Sequence, residues 1–342
     1  MSLPIGAVGS ERVLDDGAVG VLGALMRKGA GESVEGLSRA LGLSDGEVER
    51  AVGVLRGAGC EIEDAGERGV RLAGVSLSCW SDYLELRRRG GLGRRVYVYR
   101  ETESTQDVAR SLVQSNANGG VGGVGGSVVL ADVQTAGRGR MGRVWWSKAG
   151  AGLLMTAVVD AKGVTADRLS LSACCGVAGA LESLGVGCEI RWPNDVLIDG
   201  GKVGGVLIDV VDGFALVGIG VNVAGGPGEG ELDPADGLTR RASCLGEHVP
   251  GVDRLLLSEL VLGGLEGWLG EADEGRLSAW WRERSSLLGD RVEAETGGVG
   301  GGVERVVGRV IDVDARAGLM IQVDGGGVVV LGAETTRLLR VW

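Results

Sequence analysis

Residues 134–146 read Gln-Thr-Ala-Gly-Arg-Gly-Arg-Met-Gly-Arg-Val-Trp-Trp, a glycine-rich stretch that carries three arginines. Gly137, Gly139 and Gly142 match the GxGxxG spacing of dinucleotide-binding loops. Such a loop needs a helix directly after it, because the helix N-terminus holds the pyrophosphate. Here a short polar segment and then the apolar strand pattern of residues 152–159 follow, which excludes a Rossmann site. Arginines on a backbone that a ligand can approach closely favour a ligand with carboxylate and phosphate groups. An arginine–glycine contact to RNA is the alternative.

Strand and helix patterns alternate on both sides of this loop. A helix capped by Ser104 or Thr105 and a polar loop over 116–126 precede the strand at 127–131. Further helices are predicted over 165–184, 255–269 and 274–288, and further strands over 152–159, 189–191, 196–198, 202–211 and 214–223. The last four strands follow one another through short turns, which indicates a meander.

Two further strings place polar groups at strand ends. Residues 191–195 read Arg-Trp-Pro-Asn-Asp, and residues 202–207 read Lys-Val-Gly-Gly-Val-Leu. The Gly201-Lys202 pair is not a Walker A motif, because Val203 stands where that motif needs Ser or Thr. Taken alone, the Asn-Asp pair fits plain turn formers and Lys202 fits an edge-strand lysine.

Taken together, these strings resemble the catalytic domain of biotin–protein ligases over residues from about 100 to 223. The matching strings, in order, are Glu103-Ser104-Thr105, Gln134 to Trp145, Trp192-Pro193-Asn194-Asp195, Lys202-x-x-Gly205 and Gly218-Ile219-Gly220-Val221-Asn222. With the flanking regions described below, the chain is similar to the bifunctional biotin–protein ligase and biotin-operon repressor (BirA type, a biotin–[acetyl-CoA-carboxylase] ligase).

The resemblance implies two reactions. Biotin and ATP give biotinoyl-5′-AMP and pyrophosphate, and a lysine of the biotin carboxyl carrier protein domain of acetyl-CoA carboxylase then takes the biotinoyl group. The substrate carboxylate is the nucleophile, so catalysis consists of positioning and charge neutralisation. Mg²⁺ is expected on the ATP phosphates, with no metal site made of protein side chains.

The resemblance also implies the site residues. Catalytic roles fall to Arg138, Arg140 and Lys202. Biotin is expected to contact Ser104, Thr105, Gln106, Gln134, Arg138, Gly139, Arg140 and Lys202. ATP is expected to contact Arg140, Arg143, Trp145, Asn194, Asp195 and Asn222. Two positions depart from the family pattern, which usually has Asn where Gln106 stands and Lys where Arg191 stands.

The first 75 residues predict a winged helix-turn-helix. Helices are expected over 13–28, 33–42 and 44–57, the last with a Ser44/Glu47 capping box, and a hairpin is expected around 66–69. A small helical module without DNA binding is the alternative. DNA contacts, if made, are expected from Arg39, Arg50, Arg56 and Arg68. The segment holds eight Lys/Arg against twelve Asp/Glu, a net charge of −4, which predicts weak, dimer-dependent binding to operator DNA.

The predicted fold class is therefore a multidomain α/β (α+β) chain. Residues 1–75 form the winged helix-turn-helix and residues 76–95 a connector whose arginines 87–89 face solvent. Residues 96–285 form a mixed-sheet catalytic domain of the biotin/lipoate ligase type, and residues 286–342 a small SH3-like β-barrel.

Composition limits the alternatives. The chain has 342 residues and a net charge of −11, so no global basic field draws it to nucleic acid or membrane. Its one histidine, His248, lies in a predicted surface loop, which argues against histidine-based triads and multi-histidine zinc sites. The six cysteines form no CxxC pair, and neither a signal peptide nor an 18-residue apolar run is apparent. These features predict a cytoplasmic protein with free thiols.

Two rival functions remain at this point. A biotin-sensing transcription factor could keep the pocket without turnover, but Arg138, Arg140 and Lys202 argue for catalysis. A lipoate-type ligase would lack the Gly-Arg-Gly-Arg-x-Gly string.

Overall fold

The computed structural model describes residues 4–5, 12–117, 123–228, 242–297 and 303–342. The helices are α1 (Asp16–Lys28), α2 (Val34–Leu41), α3 (Asp45–Gly57), α4 (Trp80–Arg87), α5 (Thr105–Ala117), α6 (Ala166–Ser183), α7 (Arg254–Gly270) and α8 (Glu274–Arg284). The strands are β1 (Glu61–Asp64), β2 (Val70–Gly74), β3 (Arg95–Thr102), β4 (Ser127–Gln134), β5 (Gly152–Asp160), β6 (Glu189–Arg191), β7 (Asp195–Ile198), β8 (Gly201–Val211), β9 (Phe214–Asn222), β10 (Arg291–Gly297), β11 (Val303–Asp314), β12 (Gly318–Val323), β13 (Val328–Leu331) and β14 (Thr336–Val341).

Helices α1 to α3 and the antiparallel hairpin β1–β2 form an N-terminal unit, in the order that the local signals predict. The Ser33 side chain caps α2, and Gly42 ends that helix in the left-handed conformation at φ 69°. Ser44 and Glu47 form the predicted capping box of α3. Each cap satisfies amide groups that the first turn of a helix leaves unpaired, so these short helices have defined ends.

Two helices are shorter than predicted. Helix α1 begins at Asp16 because the Asp15 side chain accepts a hydrogen bond from the amide of Ala18 at 2.7 Å. Helix α8 ends at Arg284 rather than at residue 288, because Ser285 adopts an extended conformation and forms a bridge to β6.

A seven-stranded mixed sheet carries the central part of the chain, in the order β3-β4-β5-β9-β8-β7-β6. Strands β3 and β4 are parallel, and the other neighbours are antiparallel, which confirms the predicted meander of β6 to β9. Helix α5 packs on β4, β5 and β9 through Val108 and Val113, whereas α6 contacts β8 and α7 contacts β5. Part of the predicted 116–126 loop is helical, and residues 118–122 lie outside the described residues.

The prediction that arginines 87–89 form a solvated face is wrong for Arg88, whose side chain is only 13% exposed, whereas the side chains of Arg87 and Arg89 are exposed. Arg87 donates to Glu259 Oε1 of α7 at 2.8 and 2.9 Å, and Arg88 pairs with Glu266. Tyr83 Oη donates to the other oxygen of Glu259 at 2.7 Å. The connector is therefore a helix, α4, that fixes the N-terminal unit against α7 through a buried carboxylate.

The C-terminal strands form a five-stranded antiparallel sheet in the order β13-β12-β11-β10-β14. Its turn between β13 and β14 contacts the central part of the chain, because the amide of Ala333 donates to Asp167 Oδ1 of α6 at 2.7 Å. At the other end, Ile5 pairs with Val98 on the edge strand β3. In the described ranges, no helix is long and apolar enough to cross a membrane.

Candidate active site

A cleft lies between the central sheet, the 134–146 loop and strand β14. All thirteen residues that the sequence predicts for biotin and ATP line it: Ser104, Thr105, Gln106, Gln134, Arg138, Gly139, Arg140, Arg143, Trp145, Asn194, Asp195, Lys202 and Asn222. The fold thus brings together five strings that are spread over about 120 residues of sequence. His248 is not among the residues that line the cleft.

The cleft is strongly cationic, although the whole chain carries −11. Among the described lining residues, the cations are Arg138, Arg140, Arg143, Arg191, Lys202 and Arg337, and the carboxylate is Asp195. A concave surface with this imbalance attracts an anion and raises its local concentration. The charge of the site therefore points to a ligand that is itself negatively charged.

The 134–146 loop is held by its own backbone. Gly137 O accepts from the amide of Trp145 at 2.9 Å, and the amide of Gly139 donates to Arg143 O at 2.7 Å. Arg138 donates to Asp107 in the first turn of α5 at 2.6 Å. After a single 3₁₀ turn the chain runs into β5, and this confirms that the loop lacks the helix of a Rossmann site.

Trp145 covers a floor of glycines on β8 and β9. A Cβ at Gly220 would lie 2.4 Å from the indole ring of Trp145, and a Cβ at Gly205 would lie 3.0 Å from it. Glycine at these positions thus lets the ring lie directly on the sheet. Lys202 Nζ lies 5.7 Å from the centroid of the same ring.

Lys202 is paired in the structure. Its Nζ lies 2.6 Å from Asp195 Oδ1, and Arg191 lies 3.7 Å from the other oxygen of that carboxylate. The side chains of Lys202 and Asp195 are only 20% and 14% exposed, so the pair is poorly screened by water. The Arg191 departure thus keeps a cation beside Asp195.

Arg140 crosses from the loop to the C-terminal sheet. It donates to Asn194 Oδ1 at 3.3 Å, to Thr336 O at 3.1 Å and also to Ala333 O. Burial lowers the pKa of its guanidinium from the ordinary value, and the charge of Asp195 opposes this effect. Sequence reasoning missed the contribution of strand β14, whose residues Thr336, Arg337 and Leu338 line the cleft.

At the other end of the cleft, the start of α5 is buried. The amide and hydroxyl of Thr105 donate to Gln134 Oε1 at 2.8 and 3.0 Å, and Thr156 Oγ1 donates to Thr105 Oγ1 at 2.8 Å. The carbonyl of the Gln134 amide is therefore fixed toward α5.

Gln106 is 3% exposed and spans the gap to the sheet. Its Nε2 donates to Leu207 O at 3.1 Å and to Leu216 O at 3.3 Å, whereas its Oε1 is buried without a hydrogen-bond partner. A buried acceptor without a partner costs free energy, so it marks a place where a ligand donor would be favourable. A Cβ at Gly218 would lie 2.6 Å from Nε2, so the long side chain and this glycine depend on each other.

The four predicted DNA contacts lie on the surface of the N-terminal unit. Arg39 pairs with Glu35 at 2.6 Å, and Arg68 lies in the turn of the hairpin. Arg50 and Arg56 lie six residues apart on α3, which separates them by about 120° around the helix. The four arginines are thus exposed but spread over several elements.

Comparisons with known proteins agree with this geometry. Residues 97–225 match the biotin/lipoate A/B protein ligase family. The biotin–[acetyl-CoA-carboxylase] ligase of Mycobacterium tuberculosis is 33% identical over 254 residues, which make up 72% of this chain and 90% of that protein. The chain belongs to the biotin/lipoate A/B protein ligase family.

Two further relatives support the assignment. The bifunctional ligase/repressor BirA of Bacillus subtilis is 33% identical over 226 residues, 62% of this chain and 66% of that protein. The biotin protein ligase from Aquifex aeolicus, solved in complex with biotin and ATP, is similar with a TM-score of 0.58 at 26% identity. That similarity covers 72% of this chain and 98% of the Aquifex chain.

Proposed function

We propose that the chain activates biotin with ATP to biotinoyl-5′-AMP and transfers the biotinoyl group to a lysine of a biotin carboxyl carrier protein. The observation that carries this function is the cationic cleft, which gathers all thirteen predicted residues in a member of this family. The ligase of M. tuberculosis and the biotin- and ATP-bound Aquifex enzyme support the substrates.

In the first step, a carboxylate oxygen of biotin attacks the α-phosphorus of ATP, the Pα–O bond to the β-phosphate breaks and pyrophosphate leaves. Two anions must approach each other, so the main task of the protein is to neutralise charge. We assign Lys202 to the point where the carboxylate meets the α-phosphate, and Arg140 and Arg138 to the loop that closes over the adenylate. In the second step the carrier amine attacks the biotinoyl carbonyl, and AMP leaves.

Mg²⁺ would accompany ATP rather than occupy a protein site. Within the described ranges, no group of three or more His, Cys, Asp and Glu side chains could hold a metal ion. Asp195 is already paired with Lys202. The phosphate oxygens would therefore supply most ligands of the ion, which usually keeps several waters.

The test is biotin-dependent release of pyrophosphate from ATP, followed by transfer to a purified carrier domain. We expect release with biotin and none with lipoate, and the mass of the carrier domain should increase by one biotinoyl group. Binding of biotin without pyrophosphate release would instead support a non-catalytic biotin sensor. Release with lipoate would support a lipoate ligase.

Replacing Gly218 with alanine should raise the KM for biotin about tenfold, because the new methyl group displaces the Gln106 amide that we place against the ureido N–H of biotin. The KM for ATP should change little. Asparagine has a shorter side chain, so Gly218→Ala should raise the KM for biotin less in a Gln106→Asn variant than in the wild-type chain. The coupling free energy between the two positions should be about 1 kcal/mol. Steady-state kinetics of the four proteins, with biotin varied at saturating ATP, measure this coupling. Additive effects, or a change confined to ATP, would contradict it.

We further propose that the N-terminal unit is a winged helix-turn-helix that binds operator DNA weakly and as a dimer. The order of three helices and a hairpin supports this proposal, as does the similarity to the B. subtilis ligase/repressor. Two acids at the start of α3 are engaged locally, since Glu47 forms the capping box and Asp45 accepts from Ser38 Oγ at 2.6 Å. Both side chains nevertheless remain negatively charged and would lie beside the phosphates of bound DNA, which weakens the binding of DNA.

Gel shifts on the promoter of the biotin genes of the same organism should show binding only when biotin and ATP are present. An Arg50→Ala variant should lose that binding and keep ligase activity. Arg316→Ala, in the turn between β11 and β12, is the matched surface control. Tight binding by the unliganded protein at physiological salt would contradict the charge argument. If no DNA binds under any condition, the unit has another role.

The finer organisation stays a proposal. We assign residues 1–75, 76–95, 96–285 and 286–342 to the DNA-binding unit, the connector, the catalytic domain and an SH3-like barrel. We also propose a cytoplasmic location, where carrier protein and ATP are found together.

A further inference from the structure

Two cysteines outside the cleft lie in contact. Cys60 Sγ and Cys79 Sγ are 3.4 Å apart, and the residues are 5% and 0% exposed. Cys60 lies between the end of α3 and β1, and Cys79 directly precedes α4. A disulfide has an S–S length of about 2.05 Å, so the two sulfurs would have to approach by roughly 1.3 Å to form a bond.

The hydrogen bonds give the two thiols different roles. Either thiol can donate in the contact between them, but Cys79 Sγ also lies 3.6 Å from Ala58 O, an acceptor that favours its protonated form. The contact with Cys79 lowers the pKa of Cys60, and the amide of Ser76 acts in the same direction. The pKa of Cys79 is raised, first by this contact with Cys60 and then by burial. Cys60 is thus the thiol of the pair that ionises first, and the thiolate is the reactive form of cysteine.

The other thiols lack this arrangement. The structure shows free thiols at all six cysteines. Cys188 is more exposed than Cys60 and Cys79, but burial still raises the pKa of its thiol to about 12. Cys174 and Cys175 are fully buried in α6, where burial raises the pKa of both. If exposure alone decided which thiol is oxidised first, the target would be Cys188. If the ease of forming a thiolate decides it, the target is Cys60.

The pair lies where the N-terminal unit meets the catalytic part of the chain. Trp80, the residue after Cys79, packs under the guanidinium of Arg254, 5.2 Å from its ring centroid. Arg254 also donates to Asp132 of β4 at 2.7 Å. A bond between Cys60 and Cys79 would join the base of the hairpin to the helix that docks on α7.

We propose that Cys60 and Cys79 are a dithiol modification site that forms a reversible disulfide on reaction with a peroxide. The Cys60 thiolate attacks one peroxide oxygen, the O–O bond breaks, and water leaves after protonation, which gives a sulfenic acid. Cys79 sulfur then attacks Cys60 sulfur and displaces a second water. Two thiols are oxidised by two electrons in total and one peroxide is reduced to two waters.

The experiment treats the reduced full-length chain with hydrogen peroxide and blocks the remaining thiols by alkylation. We expect a Cys60–Cys79 cross-linked peptide, two fewer alkylated thiols and full reversal by dithiothreitol. With dimedone present, Cys79→Ser should accumulate a sulfenic acid adduct at Cys60, whereas the wild-type chain should show little adduct because Cys79 resolves it. Cys188→Ser is the matched control and should leave the cross-link unchanged.

Two results would overturn the site. One is oxidation of Cys188 or Cys244 while Cys60 and Cys79 remain thiols at the same peroxide dose. The other is an intermolecular cross-link in place of the Cys60–Cys79 peptide. Peptide mapping of the wild-type chain decides between these outcomes even if a cysteine variant fails to fold. The result is also independent of ligase activity and of the proposed substrates.

Discussion

Replacing Lys202 with glutamine should lower the rate of adenylate formation about 10²–10³-fold, by analogy with the loss of one charge-stabilising donor at an active site. The ammonium group matters most where two anions approach, so binding of a stable adenylate analogue should weaken far less than the rate falls. Single-turnover pyrophosphate release and calorimetric binding of the analogue measure the two effects. Equal losses in both would make Lys202 a simple binding residue.

The pair with Asp195 adds a second cause that the experiment must separate. Without Lys202, the Asp195 carboxylate loses its 2.6 Å ion pair, keeps Arg191 at 3.7 Å and repels an incoming anion more strongly. The double variant Lys202→Gln with Asp195→Asn should therefore recover part of the binding of the analogue, but little of the rate. Lys148→Gln removes the same charge from an exposed position outside the cleft and serves as the matched control.

Local signals in the sequence predict the ends of many elements. Ser33, Ser44 and Thr165 cap helices because the side-chain oxygen of each accepts a hydrogen bond from a free backbone amide in the first turn. Donor and acceptor are only three residues apart in the chain, so the sequence is enough to predict such a contact. The thirteen cleft residues could also be named, because five strings resemble one family. Their convergence in one cleft agrees with that prediction, while the role of each residue stays a prediction.

The sequence could not predict in the same way which residues pair when they are far apart in the chain. Any of several carboxylates could have paired with the arginines 87–89, and only the packing of α4 on α7 selects Glu259 and Glu266. The contribution of β14 to the cleft likewise depends on a contact between segments about 190 residues apart. The Oε1 of Gln106 lacks a hydrogen-bond partner because its Nε2 is bound to two backbone carbonyls on distant strands, and the sequence does not predict those contacts.

Replacing Arg140 with alanine should have two effects of different size. Adenylate formation should fall about 10²–10³-fold, because a charge contact that strengthens in the transition state is lost. Unfolding should also become easier by about 1–3 kcal/mol, since hydrogen bonds from a charged donor to Ala333 O and Thr336 O disappear. The sequence alone predicts only the first effect, because it presents Arg140 as a loop residue that supports little core. Rapid-quench kinetics and urea unfolding measure the two effects separately.

Asp167→Asn distinguishes charge from positioning. Asp167 accepts from the amide of Ala333 and does not line the cleft, so its replacement by asparagine weakens the charge-assisted hydrogen bond that holds this turn, while Arg140 keeps its charge. If charge carries the effect, Asp167→Asn should slow adenylate formation less than tenfold, and Arg140→Lys should recover part of the rate. If Asp167→Asn is as slow as Arg140→Ala, the arginine acts by holding the C-terminal sheet against the loop. An unchanged rate in Arg140→Ala would remove this residue from the reaction altogether.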